Sequence, residues 1–199
     1  MHHIYHTEGL ILSNRNFGET GKYYSIFTRD LGMINASAQG VRKMSSKLRF
    51  VLQDFSYIKV DLVQGRDFWR ITSASKTNEL EDLIRNQNTY AIFYNIASLL
   101  KRLLTGVEPN KMLFSDLVHG LSVLEDIARQ KHTNMEEELN NAEIIIVLRI
   151  LNNLGYIGGS EKLSKLVKSP FEKDLIFEVS SSRREILKHI NQALRETDL

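Results

Sequence analysis

The chain has 199 residues, with 26 Lys and Arg against 24 Asp and Glu, and no Cys. The lack of thiols excludes a disulfide scaffold, a thiol nucleophile, an iron–sulfur cluster and a thiolate zinc site. An apolar share of 42% excludes a wholly disordered chain. The longest aliphatic run, Ile144 to Leu148, falls far short of the roughly 20 apolar residues that span a bilayer. The start, Met1-His2-His3-Ile4-Tyr5-His6, lacks a cationic flank followed by an apolar core. No signal peptide is therefore expected, and a cytoplasmic setting is the default.

Charge is unevenly spread. Residues 1–80 carry 11 basic and 7 acidic side chains, and residues 81–199 carry 15 and 17. No acidic residue occurs from Leu31 to Gln53, where Arg42, Lys43, Lys47 and Arg49 fall close together. A solvated basic loop is the plain reading. A polyanion contact is the sharper one, because phosphate neutralisation releases counterions.

The first half alternates with period 2. Thr7 to Phe17 reads as extended and apolar, and Lys22 to Thr28 is aromatic and β-branched. Arg29-Asp30-Leu31-Gly32 reads as a tight hairpin turn. Ile34, Ala36 and Ala38 then alternate with polar residues, and residues 40–49 form the basic loop. Phe55 to Val63 and Phe68 to Ala74 make two more strands around the turn Gln64-Gly65-Arg66-Asp67. Five short strands with Gly-bearing turns suggest a small closed barrel, an OB-fold or its SH3-like rival.

The second half repeats with period 3.6. Helices are expected over Thr89–Leu104, with Ile92, Ile96, Leu99 and Leu103 on one face, and over Met112–Lys131 after the possible cap Asn110. A third starts at Asn134 with Glu136, Glu137 and Glu138 and runs to Leu154, with Gly155 as its stop. Its apolar residues on several faces mark it as central. Leu175–Val179 reads as a short strand, and Ser182-Arg183-Arg184-Glu185 as a capping box opening the last helix. The expected architecture is α+β in two domains: a five-stranded barrel over 1–78 and an all-α domain over 79–199.

Catalytic chemistry has little support. His2, His3 and His6 could chelate a metal but sit at the end of the chain, and His119 reads as a core residue. Glu136 to Glu138 read as a solvated helix start. Phosphate-cradling glycine motifs and a nucleophile elbow are absent. The expectation is a non-enzyme with no cofactor.

Nucleic-acid binding needs charge for phosphates and aromatic faces for unstacked bases. The first half interleaves Tyr23, Tyr24, Phe27, Phe50, Tyr57, Phe68 and Trp69 with Lys22, Arg29, Arg42, Lys43, Lys47, Arg49, Arg66 and Arg70. Most of these aromatics belong in a barrel core. Of Phe68 and Trp69, one must face out of a regular strand. The expected DNA-binding set is Arg42, Lys43, Lys47, Arg49, Lys22, Arg29, Arg66, Arg70 and Trp69.

The order of several segments then resembles the RecO family of DNA repair mediators. They are Thr7-Glu8-Gly9-Leu10-Ile11-Leu12, Gly18-Glu19-Thr20, Phe27-Thr28-Arg29-Asp30-Leu31-Gly32, Ala38-Gln39-Gly40-Val41-Arg42-Lys43, Ser46-Lys47-Leu48-Arg49, Leu52-Gln53-Asp54-Phe55 and Ile71-Thr72-Ser73-Ala74. Leu148-Arg149-Ile150-Leu151 with Leu154-Gly155-Tyr156 is similar to the family's helix ending in "LGY". The resemblance implies an N-terminal OB-fold and a helical C-terminal domain. It implies binding of single- and double-stranded DNA, strand annealing, and partnership with RecR. It further implies contact with the C-terminal tail of single-stranded DNA-binding protein and, indirectly, loading of RecA. A nucleoid-associated location and no membrane contact go with this. Many relatives carry a four-cysteine zinc module after the "LGY" helix; this chain has no Cys, so no zinc is expected and the C-terminal part reads as a short form. A protein–protein adaptor and an RNA-binding OB-fold protein are the alternatives.

Overall fold

A computed structural model of the chain describes residues 3–66, 68–104, 106, 108–130, 133–158 and 161–197. Five strands follow one another: β1 (Ile4–Phe17), β2 (Gly21–Thr28), β3 (Gly32–Ala38), β4 (Tyr57–Gln64) and β5 (Trp69–Lys76). They close a barrel in the order β1-β2-β3-β5-β4, with β3 and β5 parallel and the other neighbours antiparallel. This closure is the OB-fold arrangement, and it removes the free sheet edges. Alternation fills the interior with Ile11, Tyr24, Ile26, Ile34, Ile58, Val60, Leu62 and Ile71. Tyr24 lies opposite Ala36, so a small residue makes room for a large one.

The expected basic loop gives way at its end to a one-turn helix, α1 (Leu48–Val51). Leu48, Val51 and Leu52 pack against the barrel core, and their spacing of three and four explains the turn of helix.

The barrel also has an apolar exterior. Leu10 pairs with both Phe27 and Tyr57 on the side opposite Ile11 and Ile58. Phe114 covers this patch, its ring 5.5 Å from Phe27 and 6.1 Å from Tyr57. The Tyr57 hydroxyl donates to Glu8 at 2.9 Å; burial and that carboxylate push its pKa up. Gly32 sits at φ +68° in the β2–β3 turn, directly under the Glu108 backbone. Lys111 pairs with Asp30 in the same turn at 2.9 Å, which lowers the Asp30 pKa.

The helices are α2 (Gln87–Leu103), α3 (Lys111–Arg129), α4 (Met135–Asn153), α5 (Glu161–Lys168) and α6 (Lys173–Glu196). The chain forms two compact units. One comprises Met1–Glu81 with Ala97–Phe114, and the other Asp82–Ile96 with Ser115–Leu199. Among the described residues, no helix is long and apolar enough to cross a membrane.

In the second unit α4 is the central element, burying Leu139, Ile145, Leu148 and Leu151 among others. Asn110 caps α3 by accepting the Leu113 N–H at 2.9 Å. Gly155, at φ +81°, ends α4 in a Schellman motif: the Tyr156 N–H donates to the Leu151 carbonyl at 2.9 Å. Gly120 lets α3 approach α4 closely, since a Cβ there would lie 2.7 Å from Ile146.

Two expectations need correction here. Leu175–Val179 is helix, not strand, and Ser182-Arg183-Arg184-Glu185 lies inside α6 rather than at its start. Leu175, Ile176, Val179, Ile186, Ile190 and Ala193 form one buried stripe spaced for a helix, and α6 packs along α4. The Ser181 hydroxyl donates back to the Glu178 carbonyl at 2.8 Å, as a serine inside a helix does.

Arg149 is buried without a carboxylate at ion-pair distance among the described residues. It donates to the Leu166 and Ser169 carbonyls at the end of α5, and its guanidinium lies 5.0 Å from the Phe171 ring. Burial lowers its pKa, with Asp116 opposing. Charge-assisted bonds of this kind contribute about 1.5–3 kcal/mol each before the cost of burying the charge. Arg149→Met should lower the unfolding free energy by roughly 2 kcal/mol in urea titration, with protection of the α5 amides lost first in hydrogen exchange.

Candidate nucleic-acid interface

A β-bulge in β1 decides which side chains reach the barrel surface. Ile11 pairs with Ile26, but the next pair is Ser13 with Ser25, so Leu12 is an extra residue. An inserted residue reverses the alternation beyond it. Ser13, Arg15 and Phe17 therefore share the outer face, whereas Ile11, of the same parity, is inside. Register then builds a row across four strands: Arg15 beside Tyr23, Tyr23 beside Ser37, and Ser37 beside Arg70.

Aromatic rings gather on this face. Tyr23 lies 4.2 Å from Phe17 and 4.9 Å from Phe68, centroid to centroid. The Arg15 guanidinium stands 5.4 Å over the Tyr23 ring. Phe17 is 45% exposed and Phe68 44%, so both rings leave apolar surface open on this face. Ser13, Arg15, Tyr23, Asn35 and Phe68 line a cleft of about 320 Å³. Lys101 adds a cation at one edge, donating to the Ser13 hydroxyl at 3.3 Å. Tyr24 lies beneath; burial and then the Asp54 charge push its pKa up to about 12, so it stays neutral.

The basic segment borders the same face. The Arg42 N–H donates to the Thr20 carbonyl at 2.9 Å and its guanidinium to the Gly18 carbonyl at 3.4 Å. These bonds tie the segment to the β1–β2 turn that follows Phe17. Arg42, Lys43 and Lys47 are exposed. Arg66 is exposed in the β4–β5 turn, and Arg70 completes the row. Rings for stacking beside cations for phosphate make a surface suited to a single strand, without a need to read base edges.

Other expected residues stand apart. Arg49 is half-buried, 4.6 Å over the Phe50 ring and 3.0 Å from the Met44 sulfur. Lys22 is half-buried between Asn16 and Ala38. Trp69 faces inward, packed on the core and edge-on to Tyr5 at 5.0 Å, so Phe68 is the neighbour that faces out. Arg29 is at the far end of β2, roughly 23 Å along the strand from Lys22. There it pairs with Glu8 at 3.5 Å. Sequence reading weighs Tyr23 and Phe68 among the aromatics and passes over Arg15, Phe17 and Lys101. Alternation points Arg15 and Phe17 inward unless the bulge is known.

The histidines form no site on the described residues. His6 bonds Asp61 at 2.6 Å, His3 lies edge-on to Tyr5, and His119 is edge-on to Phe171. His2 and His132, like Asp67 of the second hairpin turn, lie outside the described residues. No group of three metal-binding side chains occurs among the described residues. The four-thiolate zinc module of the resemblance does not fit, because the chain has no Cys to ligate it.

Comparison with known proteins agrees with the barrel. Residues 1–79 match the family model "Recombination protein O N terminal". The chain is 33% identical to the DNA repair protein RecO of Alkaliphilus metalliredigens (strain QYMF) over 128 residues, 64% of this chain and 42% of that protein. It is 26% identical to the DNA repair protein RecO of Desulfitobacterium hafniense (strain DSM 10664 / DCB-2) over 153 residues, 77% of this chain and 52% of that protein. With that of Roseiflexus sp. (strain RS-1) it shares 30% over 121 residues, 61% of this chain and 42% of that protein. The matches thus span about half the length of these curated relatives. The barrel is thus similar to the recombination protein O N-terminal family, and the chain is similar to the DNA repair proteins RecO.

Proposed function

We propose that the chain is a non-enzymatic recombination mediator acting in DNA repair. It binds single- and double-stranded DNA, promotes annealing of complementary strands and, with RecR, helps load RecA onto DNA coated by single-stranded DNA-binding protein. The observation that carries the DNA-binding reading is the surface cluster of exposed Phe17 and Phe68 around half-buried Tyr23, flanked by Arg15 and bordered by the Arg42 segment. The relatives named for DNA repair support its setting. The partners rest on the family resemblance.

Annealing needs no bond chemistry. Cations that neutralise phosphates lower the repulsion between two strands, and ring stacking holds bases unpaired until they meet a complement. Binding should therefore fall steeply with salt. Each phosphate contact on a single strand contributes about 0.7 to the slope of log affinity against log salt. Arg42→Ala combined with Lys43→Ala should weaken binding equally for all sequences and shallow that slope by about 1.4. The check is fluorescence anisotropy of a labelled oligonucleotide at several salt concentrations, with RNA of the same sequence as competitor. A wild-type protein that fails to bind DNA at low salt overturns the reading and leaves the adaptor. A tenfold preference for RNA moves it to the RNA alternative.

A further inference from the structure

We propose that the exposed face of α6 is a second nucleic-acid contact, separate from the barrel, which holds the phosphate backbone of single-stranded DNA. The inference rests on the DNA-binding reading above and adds a site to it. A groove of about 1020 Å³ runs along α6, lined by Ser181, Arg183, Arg184, Leu187, Lys188 and Arg195 among others. A helix turns about 100° per residue, so Arg184, Lys188 and Arg195 lie within one narrow stripe. Phe177 falls on the same stripe one to two turns earlier, and its ring is 56% exposed.

The carboxylates of α6 are set aside from this stripe. Asp174, Glu178, Glu185 and Glu196 fall together on the adjoining flank by the same rotation. Glu178 is tied to Lys165 at 2.8 Å. Among the described residues, no carboxylate lies at ion-pair distance from Arg183, Arg184, Lys188 or Arg195. Arg184, Lys188 and Arg195, three exposed cations without such partners on one helical face, attract a polyanion.

Cations spread along the stripe suit the evenly spaced charges of a phosphate backbone. Apart from Leu187, the side chains around the groove are hydroxyls, amides and cations. The polar heads of these side chains bond phosphate oxygens. From Arg184 to Arg195 the helix rises about 16 Å, a length that serves several phosphates of one strand. Phe177 at the end of the stripe supplies a face for a base.

The test compares three proteins by anisotropy with labelled oligothymidylate across a salt series: wild type, Tyr23→Ala with Phe68→Ala, and Arg184→Glu with Lys188→Glu. The charge-reversed positions are exposed, so the far-UV spectrum and thermal midpoint should match wild type. The expected result is that this variant loses at least tenfold in affinity and shallows the salt slope by about 1.4 or more. Unchanged affinity and slope there, with a defect in the barrel variant, overturns the α6 site and leaves the barrel standing. A defect in the α6 variant alone keeps the α6 site and overturns the barrel face. No DNA binding by wild type overturns both. A polyglutamate peptide that binds wild type, loses binding in the α6 variant and outcompetes DNA reassigns the groove to acidic peptides and overturns the proposal.

Discussion

Replacing Tyr23 and Phe68 together by alanine should weaken single-stranded DNA binding by roughly 30- to 25,000-fold. Base–aromatic stacking contributes about 1–3 kcal/mol per ring, and these two rings face each other across 4.9 Å on the barrel surface. Neither belongs to the packed interior, so the fold should persist. Phe68→Tyr should restore most of the affinity, since a phenol also presents a π face. The loss should be nearly independent of salt, which separates it from the loss of cations at Arg42 and Lys43. A double alanine variant that binds as tightly as wild type would remove this face from the DNA-binding reading.

Gly32→Ala should destabilise the barrel unit by about 2–5 kcal/mol. Two costs combine. An L side chain at φ +68° loses about 1–2 kcal/mol to left-handed strain. A Cβ at Gly32 would also meet the Glu108 carbonyl oxygen inside contact distance, and forcing that backbone away costs about 1–3 kcal/mol more. Gly18→Ala isolates the first cost, because Gly18 has φ +57° and open space around the missing Cβ. Urea unfolding of both variants, followed by Trp69 fluorescence, should place Gly18→Ala within about 2 kcal/mol of wild type and Gly32→Ala well below it. Equal losses in the two would mean that the Glu108 contact relaxes freely.

Period-2 alternation around Ile34, Ala36 and Ala38 and around Ile58, Val60 and Leu62 made the barrel legible from sequence. The β2–β3 hairpin at Arg29 to Gly32 was legible from its turn residues. The last helix was harder to read. Leu175 to Val179 is a short apolar run, and length alone separates strand from buried helix there. Only its continuation through Ile186, Ile190 and Ala193 reveals one 24-residue helix. Ser182 to Glu185 resembles a helix start, but local hydrogen-bonding capacity does not say whether the chain enters from outside.

The candidate site was legible as a composition, cations among aromatics, but not as a place. Arg29 carries the right charge and is spent on Glu8. Trp69 carries the right ring and faces the core. Arg15 and Phe17 are positioned by Leu12, a residue whose effect is geometric: it shifts the parity of everything after it in β1. A bulge leaves no compositional mark, so these two side chains could not be assigned to the surface from alternation.

The two units share their helices. The chain passes from one to the other between residues 81 and 82, 96 and 97, and 114 and 115. No single cut therefore yields either unit whole. The family match ends at residue 79, yet the segment that shields Leu10, Phe27 and Tyr57 arrives only with Phe114. A fragment trimmed to the match would carry an uncovered apolar flank and would be prone to self-association. For subcloning and for tracing descent alike, the unit of sequence kinship and the unit of independent folding are different lengths of chain.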